Sequence, residues 1–158
     1  MKYGKVFHSG FGVSFDCPFA VREKSHVVRV LGEDVVFTPD LMCFECVVEV
    51  KTRSSLRGTP FLHHCLQLIL YLGLSNRRLG FLVYFSPRRS RIYMFTNRVG
   101  RREAEGIVGL LLRNRDRAKW GWECGGCGGC GGDVVEGFEA YVRKLVGMCG
   151  GDVDGEED

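Results

Sequence analysis

Asp40, Glu49 and Lys51 are the residues of this chain whose types and spacing could do chemistry. Glu49 and Lys51 flank Val50 near the end of "CVVEVKT", an apolar run of strand character. The two-residue period of a strand sends both side chains to one face, while Val48 and Val50 point to the other. Asp40 follows Pro39, nine residues before Glu49, and a hairpin through "LMCFEC" could bring it alongside from a neighbouring strand. Two carboxylates would then be close enough to share a divalent cation. Carboxylate-held Mg²⁺ or Mn²⁺ polarises a phosphoryl oxygen, lowers the pKa of a water and stabilises a leaving oxygen, which is the chemistry of phosphodiester hydrolysis. An ammonium such as that of Lys51 can position the attacking water or neutralise charge developing on phosphorus. A Glu-x-Lys pair at a strand end is common by itself, so the reading depends on Asp40 standing beside it. Replacing any of the three by Ala removes charge and no core volume, so loss of cleavage without unfolding is the expectation.

These residues need a sheet and a helix to hold them. "HVVRVLGEDVVFTPDL" reads as two β-rich runs around a Gly-Glu-Asp turn, a meander feeding the sheet core, with "CVVEVKT" as the next strand. "FLHHCLQLILYLGL" is rich in Leu and poor in β-branched residues, and Leu66, Ile69, Leu70 and Gly73 recur at helical spacing, which predicts a helix packed on the sheet. "GFLVYFSP" and "SRIYMFT" read as two strands joined by a Pro-Arg-Arg turn. "RREAEGIVGLLLRNRDRAKW" and "VEGFEAYVRKLVGM" return to helical patterns. Residues 1–25, with aromatics at Tyr3, Phe7, Phe11, Phe15 and Phe19 interrupted by Gly10 and Gly12, are left unassigned. The expected fold class is α/β, a central mixed β-sheet flanked by helices, forming one domain over residues 1–150 with an acidic, disordered tail over 151–158.

Gln67 and Tyr71 lie one turn apart on the predicted helix and so share a face. With them, "TPDL", "VVEVKT" and "QLILYL" stand in an order and spacing that resembles the PD-(D/E)xK nucleases in their RecB-like form. The resemblance implies a restriction-endonuclease-like fold, with Gln67 and Tyr71 joining Asp40, Glu49 and Lys51 as catalytic residues that orient DNA and support the site. It implies a metal set of Asp40, Glu49 and Val50. His26, fourteen residues before Asp40, is placed to stand in for a histidine that the family carries in a helical insert much reduced here.

Cysteine usage narrows the resemblance. Eight cysteines without an export signal point to thiols kept in a reducing compartment, and hence to metal. Cys124, Cys127 and Cys130 are separated by paired glycines that allow the tight turns needed to wrap a metal centre. Together with Cys17 in "DCPFAVRE", this one-plus-three arrangement is similar to the iron-sulfur CRISPR-associated exonucleases of the RecB family. The resemblance implies a 4Fe-4S cluster on Cys17, Cys124, Cys127 and Cys130 that staples the two chain ends, although the Cys127–Cys130 spacing is tighter than the family's. Zinc is the alternative metal for these thiolates, and Cys43 and Cys46 form a further Cys-x-x-Cys that could enter a zinc site. Cys65 is expected in the core, and Cys149 either packs or replaces one cluster ligand.

The partner class follows from charge. The net +3 hides a tail with five acidic residues after Gly151, so the remainder carries +8. Twelve Lys and Arg between Arg77 and Lys119 face only Glu103, Glu105 and Asp116, a basic stripe suited to a polyanion. The chain is expected to be a cytoplasmic, soluble DNA exonuclease acting on single strands or ends, in CRISPR adaptation or in recombination of a virus or mobile element, with an oligomer compatible. A Holliday-junction resolvase-like endonuclease and a catalytically inactive DNA-binding or assembly protein on the same fold are the rival readings.

Overall fold

The computed structural model describes residues 21–56, 58–114 and 137–151. The chain runs β1 (Val21–Arg22), β2 (His26–Val30), β3 (Glu33–Phe37), β4 (Leu41–Met42), β5 (Cys46–Thr52), α1 (Leu62–Ser75), β6 (Leu79–Phe85), β7 (Ser90–Thr96), α2 (Arg101–Asn114), α3 (Phe138–Cys149) and β8 (Gly150–Gly151). Six strands form one mixed sheet in the order β1-β4-β5-β6-β7-β8. Among the described strands only β5 and β6 are parallel, from Cys46↔Leu79 to Thr52↔Phe85, and α1 is the crossover between them. The α/β class, with helices flanking a mixed sheet, is therefore as the sequence reads.

One expectation is corrected. β2 and β3 pair with each other through His26↔Phe37 to Val30↔Glu33, but they form a separate two-stranded sheet and do not feed the large one. Pro39, which has no N–H to give to a ladder, stands two residues after β3, and the chain, which leaves the large sheet after β1, returns to it at Leu41. One face of this hairpin stays in solvent, with Val27 62% and Val36 59% exposed.

The larger core lies between the sheet and the helices and includes Val47, Leu68, Ile69, Leu72, Leu82, Phe95, Val142 and Leu145. A smaller cluster of Leu41, Cys43, Val48, Val50 and Val83 occupies the other face of the sheet. Helix α1 is buried on most of its surface and ends on Asn76 in the left-handed conformation (φ 53°), whose N–H returns to the Gly73 carbonyl. At Gly73 the two helices α1 and α2 approach so closely that an added Cβ would lie 2.6 Å from the Ala104 Cβ. Cys65 packs in the core, its thiol pushed up to about 12 by burial, and Cys149 is likewise buried at the end of α3. Among the described residues no helix is long and apolar enough to cross a membrane.

Candidate active site

The short hairpin between β4 and β5 sets the site. Its register, Leu41↔Val48 and Met42↔Val47, carries Asp40 to the level of Glu49 on the neighbouring strand. The turn is closed by the Cys43 N–H donating to the Cys46 carbonyl at 2.8 Å. Asp40 Oδ2 accepts a hydrogen bond from the Val50 N–H at 2.7 Å, which fixes its carboxylate against β5. Along β5 the alternation is strict: Val47 packs toward the helices, Val48 and Val50 belong to the cluster on the opposite face, and Glu49 and Lys51 point to the side of α1.

Four polar side chains form a continuous path there. The Lys51 ammonium donates to Glu49 Oε1 at 2.5 Å and to Gln67 Oε1 at 3.0 Å, and Gln67 Nε2 donates to the Tyr71 hydroxyl at 2.8 Å. Gln67 thus spends its acceptor on Lys51 and a donor on Tyr71, so its amide orientation is determined by its neighbours. The Tyr71 ring lies 5.4 Å from that of Phe37, and burial raises its phenol above the usual range, eased by the hydrogen bond from Gln67. The Glu49 side chain is 5% exposed and that of Lys51 21%. A carboxylate this deep needs its counter-charge, because a buried charge stripped of its partner destabilises the fold. The Lys51 ammonium supplies that counter-charge to Glu49.

His26 stands at the start of β2, stacked on Phe37 with ring centroids 5.3 Å apart, and its Nε2 is buried without a hydrogen bond. Among the described residues no three His, Cys, Asp or Glu side chains gather as a metal group. Cys43 and Cys46 sit at the turn but make no such group either. Cys17, Cys124, Cys127 and Cys130 lie outside the described residues, as do the N-terminal segment to residue 20 and the acidic tail from residue 152. The basic stretch is not one stripe. Arg88 and Arg89 turn at the end where β5 finishes with Lys51 and Thr52, whereas Arg77, Arg78, Arg98 and Arg101 lie at the opposite end of the sheet.

Two residues of the site escaped the sequence reading. His64 is buried beside Lys51 on α1, and its Nδ1 lies 2.7 Å from the hydroxyl of Tyr84 on β6. Burial first, then the charges of His63, Lys51 and Arg53, lower its pKa to about 3, so the ring is neutral. A signal was available, since His64, Gln67 and Tyr71 follow one another at i, i+3 and i+7 and so share a helical face. His64 closes one side of an open cleft of about 250 Å³ whose other walls are Val50, Lys51, Thr52 and Arg53.

Comparison with known proteins bears on this constellation. A CRISPR-associated exonuclease Cas4 from Saccharolobus solfataricus is 31% identical over 78 residues, 49% of this chain and 39% of that protein. The similarity is to a CRISPR-associated nuclease. The chain spans about two fifths of the length of this Cas4 relative. The crystal structure of SSO0001 superposes with a TM-score of 0.62 at 25% identity, covering 79% of this chain and 66% of the other. No family model matches the chain. The Cas4 likeness in sequence and the shared fold thus fall on a chain that presents two carboxylates, a lysine and a Gln–Tyr pair on one sheet face.

Proposed function

We propose that this chain is a divalent-metal-dependent deoxyribonuclease of the RecB-like, CRISPR-associated exonuclease type, acting on single strands or DNA ends. The observation that carries it is the connected path Glu49–Lys51–Gln67–Tyr71 beside an Asp40 anchored to the same strand. Two carboxylates and the Val50 carbonyl are oxygen donors, which suits a hard cation, and these are the groups that would hold one. When bound, Mg²⁺ or Mn²⁺ supplies positive charge to polarise the phosphoryl group and to lower the pKa of a water.

The chain's own residues do the rest. Asp40 is held in place by the Val50 N–H, so its carboxylate is ordered before any ligand arrives. Lys51 is suspended between Glu49 and Gln67 and borders the cleft, where its ammonium offsets charge that grows on the phosphate during attack. Gln67 and Tyr71 prevent Lys51 from swinging into solvent. Arg53 lines the same cleft, and Arg88 and Arg89 extend the positive charge along the same end of the sheet. Cys17, Cys124, Cys127 and Cys130 are proposed to hold an iron-sulfur cluster, with zinc as the alternative, and roles in CRISPR adaptation or recombination belong to the same reading.

A nuclease assay separates this from its rivals. With Mn²⁺, linear single-stranded DNA is expected to be degraded from its ends while supercoiled plasmid stays closed, and EDTA is expected to stop the reaction. Nicking of the plasmid at the same rate would favour an endonuclease. Absence of hydrolysis of every DNA form with Mg²⁺ and Mn²⁺ would overturn the proposal.

A further inference from the structure

The tautomer of His64 can be read from its partners. The Phe61 N–H donates to the Tyr84 hydroxyl oxygen at 3.1 Å, and the same hydroxyl lies 2.7 Å from His64 Nδ1. Tyr84 is buried, and among the described residues its hydroxyl makes these two hydrogen bonds. If Nδ1 carried the hydrogen, the hydroxyl would accept twice and its own proton would be stranded in the core, at a cost comparable to a lost hydrogen bond. The Tyr84 proton therefore goes to Nδ1, and the hydrogen of the neutral ring sits on Nε2. Tyr84 is itself held by Tyr93, which meets it edge to face at 5.9 Å, and Tyr93 donates to the Gly58 carbonyl at 3.2 Å.

The position of that Nε2–H is informative. His64 borders the cleft formed with Lys51, Thr52 and Arg53. Nδ1 is engaged by Tyr84, which leaves Nε2 as the ring nitrogen that His64 can offer to the cleft it lines. Arg53 is steadied by the Phe61 ring, 4.0 Å beneath its guanidinium. The walls thus offer an ammonium, a guanidinium and an imidazole N–H. A non-bridging phosphate oxygen accepts from all of these. A third cation packed against Lys51 and Arg53 would repel both, whereas a neutral donor adds a hydrogen bond without that cost.

We propose that His64, through Nε2–H, donates a hydrogen bond to a non-bridging oxygen of a DNA phosphate lying in this cleft, with Tyr84 as the positioning residue that fixes the donor. Identifying the anion as DNA rests on the nuclease reading; the assignment of the donor does not. A fluorescein-labelled single-stranded oligodeoxynucleotide, titrated with the full chain in Ca²⁺, reads affinity without turnover. His64→Phe is expected to weaken binding roughly tenfold, the worth of a hydrogen bond to a charged acceptor. His64→Gln, which keeps a donor, should recover most of that loss. Tyr84→Phe frees the ring to take either tautomer and should weaken binding by roughly threefold.

Long-range ¹H–¹⁵N correlation on histidine-labelled wild-type protein reads the tautomer directly and needs no variant to fold. The expected result is hydrogen on Nε2 alone, with the Nε2 resonance shifting when DNA is added. Hydrogen on Nδ1, or an affinity for DNA that stays within about twofold in His64→Phe, would overturn the proposal. Failure of the wild type to hydrolyse DNA while His64→Phe still loses affinity would remove the nuclease reading and support this contact. Intact hydrolysis with a flat affinity series would remove this contact alone.

Discussion

The two faces of strand β5 share a backbone and differ in everything else. On one, Val48 and Val50 close with Leu41, Cys43 and Val83 into a dry cluster. On the other, two residues of charge, Glu49 and Lys51, meet Gln67 and Tyr71 from α1. The comparison teaches that the apolar face sets the register which the polar face uses. A slip of one residue would turn Glu49 into the valine cluster, so burying Val48 and Val50 is what holds Glu49 opposite Asp40.

Breaking the apolar face should therefore have the largest effect. Val48→Asp places an unpaired carboxylate at a fully buried position and is expected to abolish cooperative unfolding, read by circular dichroism and thermal denaturation. Breaking the polar face should cost less. Lys51→Met leaves Glu49 without its cation, and because Lys51 keeps some exposure we expect a loss of about 2 kcal/mol, below the range of about 3–5 kcal/mol for fully buried pairs. Glu49→Gln introduced into that variant should restore most of it, since no charge is then stranded. Equal loss in the single and double variants would show that Lys51 acts through packing.

Acid tests a third element of the polar face. The folded pKa of His64 is lowered to about 3, so between roughly pH 6.5 and pH 3 the unfolded chain takes up a proton that the folded chain refuses. Stability contributed by keeping this ring neutral is present above that window and is lost as pH falls through it. Urea midpoints should therefore fall less steeply from pH 7 to pH 4.5 in His64→Gln than in the wild type. Parallel lines would mean that other groups govern the acid limb. The smallest effect is expected for Tyr71→Phe, which removes one acceptor for Gln67 Nε2 and should cost about 1 kcal/mol with a few-fold fall in turnover.

Much of this is legible in the sequence. The period of two in "CVVEVKT" determined which residues of β5 share a face, and the leucine-rich run from Leu62 could only satisfy its apolar residues as a buried helix. The hairpin that brings Asp40 to Glu49 was legible because its loop is short. The isolation of β2 and β3 was not, since strand pairing beyond a hairpin depends on long-range partners that local pattern does not encode, and Pro39 reads equally well as an edge residue. The hydrogen bond that holds His64 was not legible either. Its partner is Tyr84, twenty residues away on another strand, and sequence spacing carries no trace of that contact.

The central claim is that the polar face of β5 hydrolyses phosphodiesters. The most direct test is the rate of Mn²⁺-dependent release of nucleotides from end-labelled single-stranded DNA by wild type and by Glu49→Gln, measured on proteins with matched circular dichroism spectra. Glu49→Gln keeps the shape of the side chain and removes one charge from the site. We expect it to lower the rate by roughly a thousandfold or more, the scale of losing a group that stabilises the transition state. A folded Glu49→Gln protein that cleaves at the wild-type rate would contradict the account.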